Sequence, residues 1–265
     1  MKKTISILVT ILLLVTIFAG CQKNNSIDNG FEKAVNNLSA SDMDCFETDN
    51  DINIVALTNK GLRQKNLVIP ANFETANSDI FYDNVDFSHN TLESIAFQNP
   101  NFELPDSFFY QCYKLKTIEF PSNITKIPYS IFYCCYSLEK IKIPSNVDTI
   151  GEEAFSECHN LKEISFNDAL VTIESEAFLH TALEDITLPN SLTTIGEFAF
   201  ADIPTLKSVV IPESVTSIAH NAFYYSDSDY GERDKPKISV AAGSWADVHF
   251  DEYTDGGLYA EKVVR

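Results

Sequence analysis

One apolar pattern recurs along the chain and constrains the fold more than any other feature of the sequence. Leu115, Leu138 and Leu161 are separated by 23 residues, and Leu183 follows one residue early. Between these leucines the same order returns each time: two alternating apolar residues, a further valine or leucine, an isoleucine and, in most units, an Ala-Phe pair. A unit this short cannot enclose a core alone, so consecutive units must stack on one another. The repeat therefore predicts a solenoid.

Each unit also contains a short segment with the period of a strand. Ile141-Lys142-Ile143 is an example, and Pro144 follows it directly. Alternation of apolar and polar residues predicts a strand, and proline ends it because proline has no amide hydrogen to donate. Stacked coils would place equivalent strands about 4.8 Å apart, which gives a parallel sheet on one side. The Ala-Phe pair is expected on a short helical or 3-10 turn opposite that sheet, so the predicted fold class is an α/β repeat solenoid.

The repeat unit resembles the leucine-rich repeats of the BspA and Treponema type. Their unit reads roughly L-x-x-I-x-I-P-x-x-V-x-x-I-G-x-x-A-F-x-x-C-x-x-L, and the resemblance covers Leu92 to Phe223. Segments around Ile69 and Val240 resemble degenerate units, which we expect to cap the two ends. Pro105 departs from the pattern, because it stands where glycine is usual. The resemblance implies a leucine-rich-repeat surface protein that binds or adheres to other proteins or cells and has no catalytic activity.

Two rows of apolar side chains should point into the solenoid. One is the stack of phenylalanines Phe109, Phe132, Phe155, Phe178, Phe200 and Phe223, and the other consists of Ile118, Ile141, Ile164, Ile186 and Val209. A third repeat position holds Cys112, Cys135 and Cys158 and later a threonine or isoleucine, which suits a small interior slot filled by buried thiols. An inter-coil disulfide or a metal site is the alternative, but parallel side chains and the lack of C-x-x-C spacing argue against both. A disulfide between Cys45 and Cys134 stays open.

The first residues have the layout of a secretory signal. Lys2 and Lys3 precede an apolar run from Ile5 to Phe18, and small residues then lead to Cys21. This arrangement resembles the bacterial lipobox and predicts lipidation of Cys21, with an ordinary signal cut near residue 20 as the alternative. We therefore divide the chain into a signal peptide (1–20), a polar tether (21–51), the solenoid (52–250, with clear repeats at 92–223) and a C-terminal tail (251–265).

The charge of the chain limits its partners. The formal net charge is −19, and removal of Lys2 and Lys3 with the signal would make it −21. Such an acidic chain cannot bind nucleic acid by neutralising phosphates, and anionic lipid headgroups would repel it. Attachment to a membrane, in the outer membrane or at the cell surface, is therefore expected through the lipid anchor.

No arrangement of residues indicates catalysis, a cofactor or a metal. The five histidines share no motif, and we expect three of them, His159, His180 and His220, to be exposed turn residues. Walker-type loops, dinucleotide fingerprints and nucleophile turns are missing from the sequence. An acidic insertion near residues 226–234 superficially resembles a calcium loop but lacks the required ligands.

Two surfaces are candidates for partner binding. The outward positions of the predicted strands form one surface, with Thr117, Glu119, Lys140, Lys142, Glu163 and Asp185 as its candidate contacts. The other surface is aromatic and consists of Tyr110, Tyr113, Tyr129, Tyr133 and Tyr136. Tyrosine is enriched at interfaces, although these rings could equally be half-buried spacers, and the strand charges could simply pair across a solvated sheet.

Three functions are compatible with this sequence. The one we favour is an interaction module that binds an unknown protein of a host, a matrix or a bacterial surface, or else a glycan. The second is a structural spacer or envelope-assembly component. The third and weakest is an accessory protein in glycan utilisation.

Overall fold

The computed structural model describes residues 43–49, 53–78, 80–81, 91–226, 234–255 and 259–265. Within these ranges the chain is a parallel β-solenoid of about eight coils. The expected signal peptide, Cys21 and the first part of the expected tether lie outside the described residues, as do residues 227–233 of the acidic insertion.

The strands predicted from the period-two segments form one side of the solenoid, which we call sheet I. Its strands are β3 (Asn66–Ile69), β5 (Ser94–Phe97), β6 (Thr117–Glu119), β8 (Lys140–Lys142), β10 (Glu163–Ser165), β12 (Asp185–Thr187), β14 (Ser208–Val210), β16 (Lys237–Val240) and β17 (Glu261–Val264). Hydrogen bonding joins them in parallel groups in the orders β3-β5-β6, β8-β10 and β12-β14-β16-β17. The predicted parallel sheet is therefore confirmed.

A second parallel sheet, sheet II, was not predicted from the sequence. It consists of two-residue strands at the isoleucine that precedes each Ala-Phe turn: β7 (Lys126–Ile127), β9 (Thr149–Ile150), β11 (Thr172–Ile173), β13 (Thr194–Ile195) and β15 (Ser217–Ile218). Only the second residue of each strand is buried, so the segment is too short to show an alternating pattern. Its hydrogen bonds to neighbouring coils create it.

The third side, which we call the turn ridge, comprises residues 107–113, 130–136, 153–159, 176–180 and 198–202. The helical or 3-10 turn expected there is not confirmed, because these residues form hydrogen-bonded turns. Two residues in each coil have positive φ, for example Ser130 (47°) and Cys134 (61°), which breaks a right-handed helix. Backbone amides point along the solenoid instead, as where Phe132 donates to the carbonyl of Ala154 (2.9 Å).

The N-terminal boundary of the solenoid differs from the expected one. A 3-10 helix (Met43–Cys45) and strand β1 (Phe46–Asp49) occupy the end of the expected tether. Strand β1 pairs antiparallel with β2 (Asn53–Leu57), which pairs parallel with β4 (Thr75–Ala76). A second 3-10 helix covers Gly61–Arg63. Phe46 is buried against Phe73, with ring centroids 5.4 Å apart, so these residues cap the first coil rather than tether it.

The C-terminal boundary also differs. Two short helices, α1 (Trp245–Val248) and α2 (Phe250–Tyr253), close the last coil, and Tyr253 is completely buried beneath it. Residues 261–264 then form β17 of sheet I, so the expected tail includes structured elements. None of the helices in the described residues has the length and apolar character needed to cross a membrane.

The core follows the two predicted rows. All six phenylalanines of the stack are fully buried, and consecutive rings lie 5.4, 5.2, 5.3, 5.1 and 5.6 Å apart with nearly parallel planes. In the second row Ile141, Ile186 and Val209 are buried, while Ile118 and Ile164 pack against the core at partial exposure. Both rows are confirmed as interior.

The repeated cysteines also lie inside. Cys112, Cys135 and Cys158 are completely buried, and the thiols of Cys135 and Cys158 donate to the carbonyls of Phe109 (3.3 Å) and Phe132 (3.1 Å) in the preceding coil. Burial raises the pKa of both thiols. Cys134 carries a free thiol, so the disulfide to Cys45 that the sequence left open is not formed.

Candidate binding surfaces

Four of the five candidate tyrosines stack in two columns on the turn ridge. The rings of Tyr110 and Tyr133 lie 5.0 Å apart and are parallel to within 5°. Tyr113 and Tyr136 are also 5.0 Å apart, and the imidazole of His159 continues this column at 5.3 Å from Tyr136. These columns form because equivalent residues of adjacent coils project in the same direction one coil apart.

This stacking decides which part of each ring can meet a partner. Tyr136 has a neighbour on both faces and Tyr133 on at least one, so the columns expose ring edges rather than ring faces. Tyr136 is 37 % exposed, and Tyr110, Tyr113 and Tyr133 are half-buried. Tyr129, at 42 % exposure, lies where the chain enters the ridge. The four stacked tyrosines therefore have fixed rings that are partly exposed.

The hydroxyls of Tyr133 and Tyr136 remain protonated near neutral pH. Burial raises the pKa of Tyr133 to about 12. The pKa of Tyr136 is raised mainly by its hydrogen bond to the Cys134 thiol (3.4 Å) and then by burial. The Tyr133 hydroxyl can therefore donate a hydrogen bond to a carbonyl or carboxylate oxygen of a partner, whereas the Tyr136 hydroxyl donates its proton to Cys134 and can accept a hydrogen bond.

A cluster of ionisable groups continues the ridge beyond the tyrosines. One oxygen of Glu157 binds Nδ1 of His180, and its other oxygen lies 3.2 Å from Nε2 of His159. His180 Nε2 also lies 3.7 Å from Asp202 of the next coil. The pKa of His180 is raised, chiefly by the hydrogen bond to Glu157. His180 is therefore half-buried and paired, which corrects its expected role as an exposed turn residue.

An acidic patch flanks the same ridge. Burial raises the pKa of Glu176, and the nearby carboxylates of Glu153, Glu152 and Glu197 raise it further. Like charges raise a carboxyl pKa because each one disfavours ionisation of its neighbour. The ridge thus carries tyrosine hydroxyls in one part and concentrated negative charge in another.

The outward positions of sheet I are solvent-exposed as expected. Thr117, Glu119, Lys140, Lys142, Glu163 and Asp185 are all exposed. The parallel register places Glu163 beside Lys140, but no ion pair joins these two within the described part of the chain. The strand residues lie on the outer face of sheet I and the tyrosines lie on the turn ridge, so the two sets do not form a common site.

The ion pairs of sheet I involve the residue just before each strand, one position earlier than the strand residues for which the sequence suggested pairing. The residue just before each strand alternates in sign along the solenoid, in the order Lys65, Glu93, Lys116, Glu139, Lys162, Glu184 and Lys207. Glu93 contacts Lys65 (2.8 Å) and Lys116 (2.7 Å), and these lysines lower the pKa of Glu93 to about 2. Alternation of sign at one repeat position was the signal that could have revealed this row.

Sheet II is interrupted at its N-terminal end, and the interruption leaves a groove. Gly151 donates its amide to Ile127 (2.9 Å), but the equivalent residue one coil earlier is Pro128, which has no amide hydrogen. The resulting groove has a volume of about 570 Å³ and is lined partly by Asn101, Glu103 and Lys126. Its lining is mainly polar and open to solvent, unlike the apolar clefts in which small ligands usually bind.

Within the described ranges, no group of three or more histidine, cysteine, aspartate or glutamate side chains is arranged to hold a metal ion. The cluster around Glu157 contains two histidines and two carboxylates, but its members pair with one another along the ridge rather than converge on a point.

Sequence comparison identifies the repeat. Residues 82–203 and 171–230 match the profile of the BspA type leucine-rich repeat region, in six copies. These residues cover more than half of the chain. No curated protein sequence matches the chain significantly.

Several solved structures have a similar fold. A leucine-rich cell surface protein from Faecalibacterium prausnitzii is 17 % identical, with 76 % of this chain and 81 % of that chain aligned and a TM-score of 0.47. The leucine-rich repeat protein of T. pallidum is 20 % identical over 73 % of this chain and 80 % of that one, with a TM-score of 0.41. The pneumococcal vaccine antigen PcpA is 15 % identical, with 76 % of this chain and 68 % of that chain aligned and a TM-score of 0.39.

Proposed function

The chain belongs to the BspA-type leucine-rich repeat family, and from this premise we propose that it is an exported, lipid-anchored surface protein that binds a protein partner through the turn ridge. The observation that carries the proposal is the pair of tyrosine columns, Tyr110–Tyr133 and Tyr113–Tyr136, whose rings are held in place by stacking. Fixed tyrosines lose little side-chain entropy on binding, which is why they recur at interfaces.

The geometry of the columns favours a protein over a glycan. Glycan recognition by aromatic residues usually needs an open ring face, but Tyr136 is covered on one face by Tyr113 and on the other by His159. What the columns offer is ring edges together with tyrosine hydroxyls, which suits the polar groups of a protein backbone. The acidic flank around Glu176 adds a preference for a partner with basic groups beside the contact, and salt would weaken that part of the attraction.

Adhesion is the role we propose for this binding. A surface built from repeated coils presents equivalent tyrosines in two adjacent coils of the ridge. A protein on a matrix, a host cell or another bacterium would therefore be held by tyrosines of both coils. The spacer function remains the alternative, and it requires no partner at the ridge.

Capture experiments with matched variants test the proposal. The immobilised full chain would be exposed to extracellular matrix proteins and to envelope proteins of the producing cell. The Tyr110→Ala/Tyr133→Ala/Tyr136→Ala variant should lose saturable capture, and the triple phenylalanine variant, which keeps the stacks, should lose part of it. A Lys140→Ala/Lys142→Ala variant on sheet I should capture as well as the wild type.

Two results would contradict the proposal. Capture that survives the triple alanine variant but not the lysine variant would move the site to sheet I. The absence of saturable capture by a correctly folded wild-type chain would favour the spacer function.

The anchor needs its own test. Metabolic labelling with a fatty acid should mark the wild type and not Cys21→Ser, and protease added to intact cells should digest the wild type. An unlabelled wild type would exclude the anchor, and a protected one would exclude surface display.

A further inference from the structure

The groove at the N-terminal end of sheet II exists because one row of backbone hydrogen bonds is missing. The residue after each of β9, β11, β13 and β15 donates its amide to the isoleucine of the preceding coil, as Gly151 does to Ile127 (2.9 Å). Pro128, which follows β7, has no amide hydrogen with which to reach Leu104. Strand β7 therefore pairs with β9 alone, and the groove separates it from Glu103 and Leu104.

Polar backbone groups on both walls face this groove. Glu103 donates its amide to Glu74 of the preceding coil (2.7 Å), so the next residue, Leu104, directs its amide and carbonyl the opposite way, into the groove. On the other wall Ile127 faces β9, and the amide and carbonyl of Lys126 therefore face the groove. These four groups make no hydrogen bond to any residue in the described ranges, so they are available to a ligand.

Both ends of the groove are closed by hydrogen bonds. At one end the Asn123 side chain donates to Asn101 (2.6 Å), and at the other the Tyr129 amide donates to the Asp106 carboxylate (3.0 Å). An extended peptide added to β7 would have to run past both of these bridges, so strand addition is blocked. The volume of about 570 Å³ lies within the range of small-ligand sites, about 300–1,000 Å³. The groove therefore admits a compact group from its open side.

The charges around the groove disfavour an anion. Glu103 and Asp106 contribute two carboxylates to the lining. The ammonium group of Lys126 extends away from the groove, across β9, to Glu174 (3.1 and 3.2 Å). A phosphate, sulfate or carboxylate would therefore be repelled. A guanidinium or ammonium group has donors only, so it would leave the amides on both walls unpaired. The groove is matched by a neutral ligand whose groups both donate and accept.

We infer that this groove is a carbohydrate site that binds one neutral hexose unit of a glycan. A hydroxyl group donates one hydrogen bond and accepts others, so the hydroxyls of a sugar ring can bond to an amide on one wall and a carbonyl on the other. The carboxylates of Glu103 and Asp106 accept from further hydroxyls, and such charge-assisted bonds are the stronger ones. The site shares no residue with the tyrosine columns, so it does not depend on the function proposed for the turn ridge.

Calorimetric titration with sugars tests the inference. The full chain, in a detergent without a sugar headgroup, would be titrated with glucose, galactose, mannose and N-acetylglucosamine up to tens of millimolar. At least one should bind saturably. Thr125→Trp, at an exposed position of the lining, fills the groove and should weaken that binding about tenfold or more. Thr216→Trp is the matched control, because Thr216 is exposed at the same repeat position beside an intact part of sheet II, and it should bind as the wild type does.

A second variant removes an acceptor without filling the groove. Glu103→Ala deletes one carboxylate and leaves the backbone bonds of residue 103 in place. A hydrogen bond to a charged group contributes about 1.5–3 kcal/mol, so the sugar should bind about tenfold more weakly. The thermal unfolding midpoints of this variant and of both tryptophan variants should match that of the wild type.

Amide hydrogen exchange, measured by NMR, locates the bound sugar. The amides of Leu104 and Lys126 should exchange rapidly in the free chain and more slowly with saturating sugar. The amide of Ile127, which faces β9, should not respond.

Three results would overturn the inference. Absence of saturable binding for all four sugars by the folded wild type would show that the groove holds only water. Equal affinity of Thr125→Trp and the wild type, or unchanged exchange at Lys126, would place any bound sugar elsewhere. Binding of N-acetylalanine methylamide in place of the sugars would make the ligand a peptide.

Discussion

Replacement of Phe155 by alanine should destabilise the solenoid strongly. The ring is fully buried and lies between Phe132 at 5.2 Å and Phe178 at 5.3 Å, with both pairs nearly parallel. Burial of such a side chain contributes about 1.5–3 kcal/mol, and each aromatic pair adds about 0.5–1.5 kcal/mol beyond burial. The backbone on both sides is fixed by inter-coil hydrogen bonds, such as that from Phe155 to Ala177 (2.9 Å), so the cavity cannot close easily. We expect a loss of about 3–5 kcal/mol in the free energy of unfolding.

Equilibrium unfolding in guanidinium chloride measures this loss. Phe155→Leu is the matched control, because it keeps most of the apolar volume and removes mainly the two ring pairs. It should cost about 1–2 kcal/mol. A loss below about 1 kcal/mol for Phe155→Ala would refute the reasoning, since it would mean that the phenylalanine stack does not form the core.

Three further predictions concern other parts of the fold. The pKa of His180 is raised mainly by Glu157, so the pair stabilises the fold fully below the usual histidine pKa of about 6.5 and loses this effect as pH rises through the raised value. The thermal unfolding midpoint, measured between about pH 5 and 9, should therefore fall as pH rises through that range. His180→Gln should reduce this pH dependence. Gly151→Ala should cost about 1–3 kcal/mol in unfolding free energy, because a β-carbon would lie 2.7 Å from the carbonyl oxygen of the preceding coil. Cys135 and Cys158 should react with a thiol reagent only as fast as the chain unfolds, because both are buried and their pKa values are raised.

Each of these three predictions can be contradicted by a specific result. An unchanged pH slope in His180→Gln would show that another group produces it. Wild-type stability in Gly151→Ala would mean that the coils have room to separate at that point. Rapid modification of Cys135 or Cys158 in the folded chain would show that their slot opens to solvent, and mass spectrometry of the labelled peptides identifies which thiol reacted.

The sequence predicted those features that repeat in step. Leu138, Ile141 and Phe155 recur at one spacing, and a stack of coils is the arrangement that buries all of them, so sheet I and the phenylalanine stack followed directly. The same reasoning placed the tyrosines of the ridge in register, because a column needs only equal repeat positions.

Other features depend on backbone geometry that the repeat does not reveal. Sheet II arises from two-residue strands such as Thr149–Ile150, too short to show a period. The expected helical turns are not confirmed, because residues such as Ser130 and Cys134 adopt positive φ so that their coil's amides can reach the next coil. Serine and cysteine have no special preference for positive φ, so the sequence did not indicate it. The end caps were misjudged because Phe46 and Tyr253 belong to no repeat, and only their burial shows that they close the core.

The measurement that most directly tests the central claim is attachment of cells that display the chain to a surface coated with the captured partner. Three strains would be compared, carrying the wild type, the Tyr110→Ala/Tyr133→Ala/Tyr136→Ala variant or the Lys140→Ala/Lys142→Ala variant at equal surface levels. Binding through the turn ridge predicts that attachment falls about tenfold or more in the tyrosine strain and is unchanged in the lysine strain. Equal attachment of the tyrosine strain and the wild type would contradict the claim that the turn ridge is the binding surface.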